Sequence, residues 1–194
     1  GTLTAPNGTA ITIDVDPVTY RSPPHALRIR MPPGAPNCAE ASLRQTFGGT
    51  FATSRLEIAL RPSGAPFDKT YFLGQVLNTG SASCEIGIGS ASDANAFVSE
   101  NDSFSGGGGD YRETSLGVPF PADQWRSIVL SVDRRASPVT FTVTVDNGTP
   151  VTGTLRAECS AAITSVDLTL GFGCENNGTP HEARYDDVWW NITR

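Results

Sequence analysis

The chain has 194 residues, enough to bury a substantial core, and its length fits a single domain spanning 1–194. Its formal charge of -6 comes from 14 Lys plus Arg against 20 Asp plus Glu, with no basic run, which excludes nucleic acid and anionic membrane surfaces as partners. No apolar stretch reaches the ~20 residues of a membrane-spanning helix, so membrane insertion is not expected.

Period-two alternation runs the length of the chain. Leu27, Ile29 and Met31 alternate with Arg28 and Arg30, and Leu56, Ile58 and Leu60 with Glu57, Ala59 and Arg61, as in strands buried on one side. Ile86 with Ile88 gives a third strand, and Ile128 with Leu130 and Val132 a fourth. Phe141 with Val143 and Val145, then Val166 with Leu168, Leu170 and Phe172, continue the series. Turn residues separate these runs. Asn147-Gly148 lies between two of them and predicts a tight hairpin, because both residues accept positive φ. The tract Ser105-Gly106-Gly107-Gly108-Gly109-Asp110 reads as a loop tip, since no helix start or lysine follows to make a phosphate cradle. With roughly ten to twelve short strands and no long helical period, the chain is predicted to be an all-β, two-sheet antiparallel sandwich.

Four cysteines point to an oxidising compartment and two disulfides; zinc is the rival reading, disfavoured by the scattered spacing of Cys38, Cys84, Cys159 and Cys174. An opening at Gly1 without Met fits a processed chain, secreted or at the cell surface. Antiparallel strands alternate their connections between two ends of a sandwich. Counting from Leu27 puts Cys38 and Cys174 at one end and Cys84 and Cys159 at the other. The expected pairs are therefore Cys38–Cys174 and Cys84–Cys159, each contributing about 4 kcal/mol in the chain-entropy model.

Three segments resemble the concanavalin A-like and laminin-G-like jelly rolls and the related carbohydrate-binding β-sandwiches of secreted bacterial proteins. They are Ser22-Pro23-Pro24-His25-Ala26-Leu27-Arg28-Ile29, the stretch from Trp125 to Asp133 with its following hairpin, and Tyr185-Asp186-Asp187-Val188. The resemblance implies a jelly-roll topology. It also implies a structural calcium tying the terminal acidic strand to the N-terminal segment, with Asp186 or Asp187 as ligands and Asp14 or Asp16 as partners. The competing expectation is that Asp186 pairs with an arginine such as Arg28 or Arg184. Strand parity puts Asp186 on the core face with Val188, Trp190 and Ile192, and Asp187 on the outer face with Trp189.

Catalytic patterns of this group are not evident. Hydrolases of the fold carry an E-x-D-x-x-E strand, whereas Glu40, Glu57, Glu85, Glu100 and Glu113 stand singly. Alginate-lyase relatives need a Gln/His/Tyr/Arg constellation. Gln45, Gln75, Arg44, Tyr71 and Tyr111 supply residue types, but the expected His is missing: His25 opens a strand after Pro24, His181 sits in a Pro-rich loop, and both read as surface residues. Gly87-Ile88-Gly89 reads as close packing within a strand. The expected function is a non-catalytic extracellular module that binds a glycan or glycoconjugate. Trp189 and Tyr111, with Trp125, Asn101 and Asp102, are the candidate contact residues. A polysaccharide-active enzyme of the same fold and a protein-binding adhesion domain are the alternatives.

Overall fold

The computed structural model describes residues 2–4, 10–31, 41–64, 69–80, 82–91, 93–104, 109–172 and 181–194. Through them run β1 (Thr2–Thr4), β2 (Ala10–Asp16), β3 (Ala26–Met31), β4 (Ala41–Gly48), β5 (Thr53–Gly64), β6 (Lys69–Thr79) and β7 (Ala82–Ala91). The second half adds β8 (Asn95–Phe104), β9 (Gly109–Pro119), β10 (Arg126–Asp133), β11 (Thr140–Val145), β12 (Val151–Thr154), β13 (Ile163–Phe172) and β14 (His181–Thr193). A 3-10 turn, Ala157–Ser160, precedes β13. The strands form two antiparallel sheets, ordered β1-β2-β3-β14-β5-β10-β11-β12 and β4-β13-β6-β7-β8-β9. Their inner faces share one core, which makes the molecule a jelly-roll sandwich.

The alternating residues of the sequence make that core. In the eight-stranded sheet Leu56, Ile58 and Leu60 of β5 stand in register with Leu130, Ile128 and Arg126 of β10, and Leu130 in turn faces Val143 of β11. Opposite them lie Val166, Leu168 and Leu170 of β13, Phe72 and Leu77 of β6, and Ile86 and Ile88 of β7, all buried. Each such side chain contributes about 1.5–3 kcal/mol by leaving water. Tyr185 is buried among them because its hydroxyl donates to the Phe72 carbonyl across the sandwich, at 2.7 Å. Polar inward residues are linked in a short chain: Ser54 donates to Gln75 at 2.6 Å, and Trp190 Nε1 donates to Ser54.

Three local outcomes differ from the sequence expectation. The β11–β12 turn places positive φ at Asp146 and Asn147 rather than at Asn147 and Gly148, with Gly148 N donating to Val145 O. Asp146 adopts this conformation because its carboxylate accepts from Ser127 N and Arg126 Nη1, which ties the turn to β10. His181 is not a surface residue. It opens β14 on the inner face, 3 % exposed, in register with Met31 and Gly64.

The third correction concerns β14 itself. Its register against β5 slips between Asp186 and Trp189, where Asp186 faces Ala59 and Trp189 faces Glu57. Asp187, at φ 50°, and Val188 form the bulge. Before it the inward residues are His181, Ala183 and Tyr185; after it they are Trp190 and Ile192. Asp186 therefore stands on the outer face, not the core face, and Val188 is exposed. What buries Asp186 is the segment of Arg21 and Ser22 laid over it.

Cys84 of β7 and Cys159 of the 3-10 turn are bonded, with Cα atoms 5.9 Å apart. The other expected pair, Cys38–Cys174, falls outside the described residues, as do Glu40 and the glycine tract at 105–108.

Candidate functional site

The outward face of the six-stranded sheet holds a groove of about 420 Å³. Its floor follows from residue size. Gly74 of β6 and Gly171 of β13 line it, and Gly74 pairs with Gly87 of β7. A methyl group at Gly87 would come within 2.6 Å of Ser99 Oγ and 3.3 Å of the Tyr71 ring, and one at Gly74 within 2.9 Å of Glu85 Oε1. Gly87 is thus covered by the Ser99 and Tyr71 side chains that line the groove, whereas Gly74 and Gly171 bring no side chain to the lining and leave its floor low.

Two cross-strand rows border this floor. One runs Arg44, Thr169, Gly74, Gly87, Ser99, Glu113 from β4 to β9; the next runs Thr46, Asp167, Val76, Glu85, Asn101, Tyr111. Five strand-to-strand steps separate the ends of each row, about 24 Å at ~4.8 Å per step. At one end Asp167, buried, is gripped by Arg44 and by Asn78 Nδ2, the latter at 2.7 Å. Burial pushes the Asp167 carboxyl up, but Arg44, Thr46 and Asn78 outweigh it and hold it below the usual carboxylate range. The same bond raises Arg44. At the other end the Tyr111 hydroxyl donates to Glu113, and the Tyr71 hydroxyl bonds that of Tyr111. Tyr71 is braced from behind by Phe97, edge to face at 5.4 Å between centroids.

The groove can thus offer a ring-sized, mostly neutral surface: two phenols, the hydroxyls of Ser42, Ser83, Ser99 and Thr169, the amides of Asn78 and Asn101, one guanidinium and three carboxylates, Glu85 with the buried Asp167 and Glu113 beside it. Among the described residues no histidine lines it.

Of the candidate contact residues, Tyr111 and Asn101 lie here side by side. Asp102, the next residue of β8, points the other way and is buried beside the Cys84–Cys159 bond, within 3.4 Å of Arg156 Nε. On that inner face Arg112 pairs with Glu100, whose carboxyl burial pushes up. Trp125 precedes β10 in the other sheet, half-buried. Trp189 is 49 % exposed on the outer face of the eight-stranded sheet, in register with Glu57. The five residues therefore split across the molecule. Arg44, Asp167, Glu85, Ser99 and Glu113 join the groove without having been singled out as contacts. The continuous polar run Ser99-Glu100-Asn101-Asp102, polar on both faces of one strand, is the mark that could have found them.

The proposed calcium ligands do not converge. Asp14 accepts from Arg28 Nε and Nη2 and from Arg30 Nη2, each at 2.8 Å, and these guanidinium groups hold its carboxyl down at about 2. Asp16 accepts from Arg184 Nε at 2.7 Å and from the backbone of Val18 and Thr19. Asp186 accepts from Arg21 N, Ser22 N, Ser22 Oγ and Asp187 N. Burial pushes its carboxyl up, and these donors bring it below the usual range. Oxygens so engaged do not fit the open six- to eight-oxygen shell of a calcium site. Arginine partners, expected for Asp186, belong instead to Asp14 and Asp16.

No protein-family model and no curated protein sequence matches the chain. Solved structures do match in fold. An endo-β-1,4-glucuronan lyase from the fungus Trichoderma reesei superposes with a TM-score of 0.68 at 11% identity, covering 94% of this chain and 87% of that one. A PL-14 alginate lyase from Aplysia kurodai gives 0.62 at 11%, covering 93% and 87%. The binding domain of botulinum neurotoxin serotype D/C gives 0.56 at 9%, covering 95% of this chain and 44% of that one.

Proposed function

We propose that the chain is a non-catalytic glycan-binding module, secreted or at the cell surface, whose ligand lies across the glycine floor of the six-stranded sheet. The observation that carries this reading is the pair of cross-strand rows. They set hydrogen-bonding groups, neutral and charged, along about 24 Å of sheet, with Tyr71 and Tyr111 forming one wall, which suits a chain of sugar rings presenting hydroxyls at its edges and apolar faces between them. The Cys84–Cys159 bond supports an oxidising compartment. The fold shared with proteins named for glucuronan and alginate lyase activity supports a saccharide ligand.

One observation favours the enzymatic alternative. The Tyr71–Tyr111–Glu113 chain is a phenol hydrogen-bonded to a carboxylate, an arrangement able to move a proton. A polysaccharide-active enzyme would release shortened chains, so incubation with a polysaccharide panel and product sizing separates the two readings.

Binding is tested by titration calorimetry with oligosaccharides of defined composition. Tyr111→Ala and Asn101→Ala should each weaken binding about three- to tenfold, as expected for one aromatic or hydrogen-bonded contact. Unchanged affinity in both folded variants would move the ligand elsewhere, with Trp189 the next surface to test.

A further inference from the structure

Resting on the groove reading, we infer that the site takes a glycan free of acidic groups and that Glu85 is a specificity-determining residue that turns polyuronates away. The argument is electrostatic and starts at the one guanidinium in the groove. Arg44 is 58 % exposed, so its charge would ordinarily recruit a sugar carboxylate. That charge is already matched: Asp167, 1 % exposed and fixed by Asn78, lies directly against it. A ligand carboxylate would have to compete with a buried anion that cannot move away.

The middle of the groove adds a second obstacle. Glu85 lies beside the floor, with Oε1 at 2.9 Å from the position a Gly74 methyl would take. It stands in register between Val76 and Asn101 and close enough to Arg44 for the two charges to interact. Glu113 lies one row over, in register with Ser99 and holding the Tyr111 hydroxyl. Among the described residues the surface carries three carboxylates and one cation. Granting the chain's single lysine to it as well leaves it acidic. A polyuronate places a negative charge on every ring, so its binding sets like charges together, whereas the hydroxyls or ammonium groups of other sugars donate to the same oxygens.

The fold neighbours named for glucuronan and alginate would suggest the opposite ligand, so the two expectations part cleanly. Calorimetry with length-matched neutral, amino-sugar and uronate oligomers at low and high salt tests them. The expected order is amino-sugar at least as tight as neutral, and uronate weakest, with the uronate penalty shrinking as salt is raised. Glu85→Gln, which keeps shape and removes charge, should raise the ratio of uronate to neutral affinity about fivefold. Uronate binding as tight as neutral binding, or a Glu85→Gln variant with no change in the ratio, would overturn the inference while leaving the groove reading in place. Binding of no oligomer at all, by a chain whose thermal transition is intact, would overturn the groove reading itself.

Discussion

Asp186→Asn is the most informative single change for the eight-stranded sheet. The carboxylate accepts four hydrogen bonds: Arg21 N at 2.8 Å and Ser22 N at 2.9 Å on Oδ2, Ser22 Oγ and Asp187 N, both at 2.8 Å, on Oδ1. An asparagine keeps one oxygen. If that oxygen stays on the Arg21 and Ser22 amides, its NH2 group meets the Asp187 N–H, and a partly buried donor is orphaned at a cost of about 1–3 kcal/mol. The two retained bonds lose their charge assistance, about 1 kcal/mol more between them. The sum, about 3 kcal/mol, lowers the thermal midpoint by roughly 6–12 °C for a domain of this size. Urea unfolding should show the same loss as a shift in midpoint at constant slope. Because the oxygens are spent on hydrogen bonds, a chelator should leave the wild-type midpoint where it is. Acid sharpens the test: the folded carboxyl sits below its unfolded value of about 3.9, so its contribution is full above that pH and lost as pH falls through the folded value. A variant within about 0.5 kcal/mol of wild type, or a chelator that destabilises wild type but not the variant, would refute the hydrogen-bond account.

Removing the Cys84–Cys159 link in Cys84→Ala/Cys159→Ala frees a loop of 75 residues, which the chain-entropy model values at about 4.5 kcal/mol; a guanidinium midpoint corresponding to a loss under about 1 kcal/mol would contradict it. Burial holds His181 below the ordinary imidazole value, so its contribution is full above pH ~6.5 and falls away as acid carries the pH down through the folded value. Unfolding midpoints measured through that window should decline in wild type and stay flatter in His181→Leu, and parallel curves would count against the assignment.

The core was legible because its strands obey one rule. Leu56, Ile58 and Leu60 or Ile128, Leu130 and Val132 alternate with residues that tolerate water, and nothing interrupts them. The groove strands obey it poorly. β6 slips register between Tyr71 and Leu73, and β8 carries polar residues on both faces because its inner face at Glu100 and Asp102 meets Arg112 and Arg156 rather than the core. The close packing expected of Gly87 and Gly89 is present, with Ser99, Tyr71 and Phe97 laid over them, but sequence does not say that Gly74 and Gly171 would line a depression beside them. In β14 the parity argument failed at a two-residue bulge whose only trace is an adjacent pair of aspartates, one of which tolerates positive φ. The partners of Asp14 and Asp16 were, by contrast, within reach: Asp-x-Asp of β2 lies antiparallel to Arg-x-Arg of β3, a complementary cross-strand charge pattern.

The place of β14 has a consequence for synthesis. It lies between β3 and β5, and β13 lies between β4 and β6, so the last two strands in the described chain fill the interiors of both sheets. A nascent polypeptide that has emerged only as far as β12 therefore exposes four unpaired strand flanks, two in each sheet, and can close neither. The sandwich cannot grow from its beginning as the ribosome delivers it; it has to wait for residues 163–193 and then assemble by distant pairings, which are slow. During that delay the open flanks of β3, β4, β5 and β6 are the surfaces through which neighbouring copies would associate, and where a holding chaperone would act.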